Sequence, residues 1–168
     1  MVNYDIARYR NTMNKKSQHL LLIVIASLAI LGYLLRISYV SFVTKTKLSE
    51  AFLLIEPIQN DINEYAQKNG GLPISVELDN NSFGLPQPFE IQGTYISSVV
   101  AHKEPNSEQV VLFAYINPTV IPNLEDGKGE PLESPYISFK GSYLGRNISW
   151  ECSSNLAKHY LPSSCNGS

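Results

Sequence analysis

The stretch LLLIVIASLAILGYLL, residues 20–35, decides how the rest of this chain must be read. Its uncharged residues number about sixteen, just under the roughly 17–25 that carry an α-helix across a bilayer. Arg36 interrupts the run, but Ile37, Tyr39, Val40, Phe42 and Val43 beyond it are again mostly apolar. A tilted span therefore reaches Val43 if the Arg36 guanidinium snorkels to the headgroups. No Gly-Pro break follows, and the run passes directly into an amphipathic pattern ending near Lys68. Three readings compete: a retained anchor, a cleaved secretory signal and a buried core helix. The exit Leu35-Arg36-Ile37-Ser38-Tyr39 places bulky and charged residues where a cleavage site needs small ones, which favours the anchor.

Arg8, Arg10, Lys15 and Lys16 precede the span and favour a cytoplasmic N-terminus, although Arg36, Lys45 and Lys47 follow it. The only two cysteines, Cys152 and Cys165, lie close together near the C-terminus. Two readings are open for them, a disulfide in an oxidising compartment or two unrelated thiols in a reducing one. An anchor upstream favours the disulfide.

About 125 residues follow the anchor, enough for one domain with its own core. The net charge of −2 carries no basic footprint, so nucleic acid is not an expected partner. His19, His102 and His159 are far apart and stand in no metal-ligand spacing. No phosphate-cradling glycine loop or nucleophile elbow is present, so neither an enzyme nor a cofactor is expected. Glu50 with Glu56, and Asp61 with Glu64, could be paired as carboxylates, but on the wet face of a helix they read as solvated. Asn147-Ile148-Ser149 fits a glycosylation acceptor pattern and, lying in a strand, carries no functional weight here.

The chain divides into a helical first part and a β-rich second part. Leu48, Ala51, Phe52, Ile55, Ile58, Ile62, Tyr65 and Ala66 recur at three- and four-residue steps, with polar residues between them. Pro57 predicts a kink rather than a break, and Asn69-Gly70-Gly71 before Pro73 predicts the stop. Residues 74–92 read as an irregular loop over the helix. Thr94 to His102, Gln109 to Ile116, Tyr136 to Tyr143 and Asn147 to Cys152 read as strands, with turns at Glu104-Pro105-Asn106-Ser107 and Gly145-Arg146. Trp150 shares a strand face with Cys152 and reads as packing around it. The expected architecture is α+β: one long N-terminal membrane-spanning helix whose amphipathic half is covered by a four-stranded antiparallel sheet.

Several of these segments resemble one family. Leu48-Ser49-Glu50-Ala51-Phe52-Leu53-Leu54-Ile55-Glu56, continuing through Asn63-Glu64-Tyr65 to Asn69-Gly70-Gly71-Leu72-Pro73, is similar to the helix and helix exit of type IVa pilins. Asn80-Asn81-Ser82 and Ile91-Gln92-Gly93-Thr94-Tyr95-Ile96 resemble that family's loop into its first strand. Ile148-Ser149-Trp150-Glu151-Cys152 and His159-Tyr160-Leu161-Pro162-Ser163-Ser164-Cys165 resemble its disulfide-bonded C-terminal region. The resemblance covers Tyr39 to Ser168. It implies the type IV pilin fold with a C-terminal disulfide loop, and a structural subunit of a type IV pilus serving cell adhesion or surface motility. It also places receptor contact on the loop carrying Lys158, His159 and Tyr160, expected to be exposed. The partners it implies are other pilins or pilus assembly proteins through the helix, membrane lipid, and a host or abiotic surface.

The N-terminus departs from the family pattern. Aligned without gaps, Lys15 stands where the family has the glycine before its cleavage point, Lys16 where the mature chain begins, and Leu20 where a glutamate lies in the apolar run. That departure implies an alternative: an uncleaved inner-membrane paralogue that binds pilins or their assembly machinery without polymerising. In either case residues 1–18 are expected to be a cytoplasmic segment, 19–43 the transmembrane half of the helix, and 44–168 a periplasmic or extracellular globular domain.

Overall fold

Leu48, Ala51, Ile55, Ile58, Ile62 and Ala66 lie on one helical stripe, and every one of them is buried in the computed structural model of the chain. The structure describes residues 15–72, 79–103 and 107–167, the side chains of residues 15, 16 and 37 excepted. The basic residues Arg8 and Arg10, the Pro73 stop signal and the Glu104-Pro105-Asn106 turn lie outside the described residues. Helix α1 spans Lys15–Asn69 and continues through Pro57. Its end follows from glycine: Gly70 takes φ 72°, and the Gly71 amide donates to the Ala66 carbonyl at 2.9 Å, the six-to-one bond of a glycine C-cap.

The chain divides at Val40/Ser41 into two compact units. In the first, the side chains of residues 17–36 are all exposed. Leu20, Ile23, Leu28, Tyr33 and Leu35 each leave more than half of their surface open, from 62% to 65%. The buried-core-helix reading of this run is thereby set aside. Apolar surface of that extent is covered by lipid or by other helices when it works in a cell.

In the second unit the remainder of α1 packs on a sheet ordered β1-β2-β3-β4-β5. These are β1 Ile96–His102, β2 Gln109–Ile116, β3 Tyr136–Tyr143, β4 Ile148–Ser154 and β5 Cys165–Asn166. The first four are antiparallel neighbours, as expected; the two-residue β5 adds in parallel to β4, pairing Cys165 with Cys152. So short a strand has no periodicity to read. Along β2 the inward set is Val110, Leu112, Ala114 and Ile116, which join Ile137 and Phe139 of β3 against the helix stripe. Phe52 meets Phe139 edge-to-face at 5.2 Å between centroids.

One expectation fails here. Glu50 is not a solvated carboxylate: its Oε1 accepts from the Thr94 amide at 2.8 Å, and its Oε2 from the Tyr95 and Ile96 amides at 2.6 and 3.0 Å. Thr94 and Tyr95 are therefore a helix-gripped turn rather than the start of a strand. Gly93 closes that turn through a bond from its amide to the Ile96 carbonyl, 2.9 Å. A Cβ at Gly93 would collide with Cδ and both carboxylate oxygens of Glu50. The backbone at Gly93 is open to any residue, so the steric contact alone requires glycine.

The expected loop before β1 contains two 3-10 turns, Asn80–Phe83 and Pro88–Glu90. Asn80 holds them to the sheet. Its Nδ2 donates to the carbonyls of Pro86 and Val99, both at 3.0 Å, and its Oδ1 accepts from the Ala101 amide at 2.7 Å. A side-chain amide thus occupies the free edge of β1, where a further strand would otherwise pair.

Glu50→Ala and Gly93→Ala are each expected to lower stability by about 2–3 kcal/mol, measured by denaturant unfolding. Because both act on one contact, Gly93→Ala should cost clearly less in the Glu50→Ala background. Additive losses would show that the two residues act separately.

Candidate functional site

Recognition residues on a small β-domain are carried by its loops, which a rigid scaffold positions. The C-terminal loop here is held from four directions. Cys152 on β4 and Cys165 on β5 form a disulfide across 13 residues of sequence, with Cα atoms 4.6 Å apart. Leu156, Ala157, Leu161 and Cys165 are buried beneath the loop. The Ala157 amide donates to the Glu125 carbonyl at 2.9 Å, tying the loop to the segment between β2 and β3. Finally the chain passes so close at Gly167 that a Cβ there would lie 2.7 Å from the Leu156 carbonyl oxygen.

Lys158–Tyr160 forms a 3-10 turn on this base. Lys158 and His159 are exposed, as expected, whereas Tyr160 is only partly so. Its ring packs against that of His159 with centroids 3.9 Å apart. Burial, reinforced by the charge of Glu125, pushes the Tyr160 hydroxyl above the usual phenol range. Tyr160 therefore stays a neutral hydroxyl at physiological pH. The turn presents one cation, one imidazole and one phenol edge, a set suited to contacting a polar surface and lacking a base–nucleophile pair.

The supporting segment before β3 is itself organised by one carboxylate. Asp126 Oδ1 accepts from the Lys128 amide at 2.8 Å and the Glu130 amide at 2.9 Å. These backbone bonds, that from Glu130 first, hold the Asp126 carboxyl below the usual aspartate range. Asn155 completes the support: its Oδ1 accepts from the Tyr136 amide at 2.9 Å, and its Nδ2 donates to the Ser134 carbonyl at 3.0 Å.

The three histidines are not brought together: His19 lies on the first unit, His102 ends β1 and His159 sits on the C-terminal turn. Among the described residues no group of three His, Cys, Asp or Glu side chains is placed to hold a metal. Trp150 shares the core-side face of β4 with Cys152, as expected, and packs across Gly141 of β3, where an added Cβ would meet its ring at 2.7 Å. Asp126 and Asn155 had no sequence signal beyond turn composition. Asp126-Gly127-Lys128-Gly129 could have marked the first of them as a side-chain-stabilised turn.

Two comparisons with known proteins bear on this geometry. Residues 44–166 match the family model described as pilin, a bacterial filament protein. The chain is also 31% identical to the fimbrial protein EcpC of Eikenella corrodens over 146 residues, which is 86% of this chain and 85% of that protein.

Cys152→Ser is expected to lower stability by about 2–5 kcal/mol, read as a fall in thermal midpoint under oxidising conditions. An unchanged midpoint would remove the disulfide from the account of the loop. Asp126, whose folded carboxyl titrates below its ordinary value of 3.8, adds stability above that value that is lost as pH falls through its folded pKa. Asp126→Asn should therefore flatten the acid limb of a thermal midpoint against pH curve and leave the neutral region nearly parallel to the parent.

Proposed function

The chain belongs to the pilin family of bacterial filament subunits, and on that premise we propose that it is a structural subunit of a type IV pilus serving cell adhesion or surface motility. One observation carries the reading: α1 is a single helix whose first unit exposes an uncharged apolar run, while its later residues supply the core of the globular unit. Such a helix has two solvents. Lipid accommodates the run before assembly, and the helices of other pilins do so after it.

In this reading residues 1–18 are cytoplasmic, 19–43 cross the inner membrane once, and 44–168 lie in the periplasm until assembly. The helix contacts other pilin subunits or the assembly machinery. Lys158, His159 and Tyr160 on the disulfide-closed loop contact a host or abiotic surface. The family is structural rather than enzymatic, and the role requires no cofactor.

Leu20 favours a second reading. It stands where the family resemblance places a glutamate, and an aliphatic side chain cannot neutralise a neighbour's amine in a dry filament core. On that reading the chain remains in the inner membrane and binds pilins or their assembly platform without polymerising.

Fractionation of producing cells separates the two. The subunit reading expects the chain in sheared filaments, with an N-terminal residue identified by sequencing at or near Lys16. Recovery from the membrane fraction only would replace it with the anchored paralogue. In that case Leu20→Glu, combined with Lys15→Gly and Lys16→Phe, should raise the amount recovered in filaments.

A further inference from the structure

We propose that α1 of one copy packs along α1 of a second copy, parallel and shifted by twenty residues, so that Arg36 of the one meets Glu56 of the other. The contact rests on the reading of the chain as a filament subunit, and adds to that reading a register and the residues that set it.

Charge fixes the shift. Arg36 is the only Lys, Arg, Asp or Glu residue between Lys16 and Lys45, and it is exposed. While lipid surrounds the run, headgroup phosphate can answer it. Once helices replace lipid a carboxylate must do so, because an unpaired charge in a dry setting is costly. Two copies standing level bring Arg36 against Arg36, and no carboxylate lies between Asp5 and Glu50. The partner helix is therefore displaced along its axis. Of the carboxylates on α1, Glu50 is taken by three backbone amides and Glu64 pairs with Lys68, while Glu56 and Asp61 stay exposed. Asp61 is set aside by its neighbours: Ile58 and Leu54, three and seven residues before it, pack on the core. Leu53 and Ser49 stand in the same relation to Glu56, and both are exposed.

The shift that joins Arg36 to Glu56 also aligns two stripes. Positions 22, 26, 29, 33, 36 and 40 follow one another at four- and three-residue steps, and positions 42, 46, 49, 53, 56 and 60 repeat those steps; every one of them is exposed. In this register Tyr33 meets Leu53, 65% and 69% exposed in the single chain. Ala29 meets Ser49, where two small side chains permit close approach. The second stripe is suited to a dry contact despite its hydroxyls. Thr46 donates to the Phe42 carbonyl at 3.0 Å and Ser49 to the Thr46 carbonyl at 2.6 Å, so neither hydroxyl needs water.

The stripes are different surfaces of one chain. Each copy therefore offers the first to one neighbour and the second to another, a heterologous contact that extends as an open filament when it does not close into a ring.

Two co-expressed copies with distinguishable tags test the register, Ala29→Cys in one and Ser49→Cys in the other. The native cysteines are joined to each other, so the introduced thiols are the only free ones. Mild oxidation of sheared filaments should link the two tags. Ala29→Cys in both copies should not link them, nor should Ala29→Cys with Asn60→Cys, which lies on the same stripe but out of register. Arg36→Glu and Glu56→Arg should each lower the filament fraction by roughly tenfold or more at an unchanged membrane level, and the two combined should restore it. A parent chain absent from filaments would overturn the subunit reading, and the contact with it. A parent present in filaments, with no link between positions 29 and 49 or no rescue by the charge swap, would overturn this contact alone.

Discussion

The Glu50 carboxylate, gripping three consecutive backbone amides at Thr94, Tyr95 and Ile96, is the constraint from which the globular unit takes its geometry. It fixes the height along α1 at which the sheet begins. A charged acceptor satisfied by several N–H donors forms bonds stronger than neutral ones, and these donors would otherwise be left over at a strand start. Once β1 is registered against the helix, β2 and β3 follow by antiparallel pairing, and Phe139 arrives opposite Phe52. Gly93 is part of the same device, because only a residue without a Cβ leaves room for the carboxylate.

The sheet has two edges, and each is closed by different chemistry. At β1 the Asn80 side chain supplies the donor and acceptor that a neighbouring strand would have given. At β4 the disulfide brings Cys165 beside Cys152, so that two residues of the chain end can add as β5. Unpaired edges invite association with other chains. The same closure gives Lys158 and His159 a rigid base.

Function is partitioned along α1. Its run of residues 20–35 is apolar on all sides and is satisfied by lipid or by other helices. Its second unit is amphipathic and satisfied within the chain. The change falls where Arg36, Lys45 and Lys47 end the uncharged stretch.

Much of this was legible in the linear chain, because the relevant signals are local. The uncharged run, the three-and-four spacing of Leu48 to Ala66, the Gly70 stop and the alternation of Val110 to Ile116 each express the period of a single element. Four strands were marked out by the turn residues between them. What the chain alone left undecided were contacts that join distant segments without any period. Glu50 occupied a position indistinguishable from the solvated carboxylates around it; only the arrival of Gly93 to Ile96 makes it a structural acceptor. Asn80 read as a loop residue, Tyr160 as exposed, and β5 not at all. Periodicity identifies elements, whereas a lone polar residue acquires its role from whatever backbone folding brings against it.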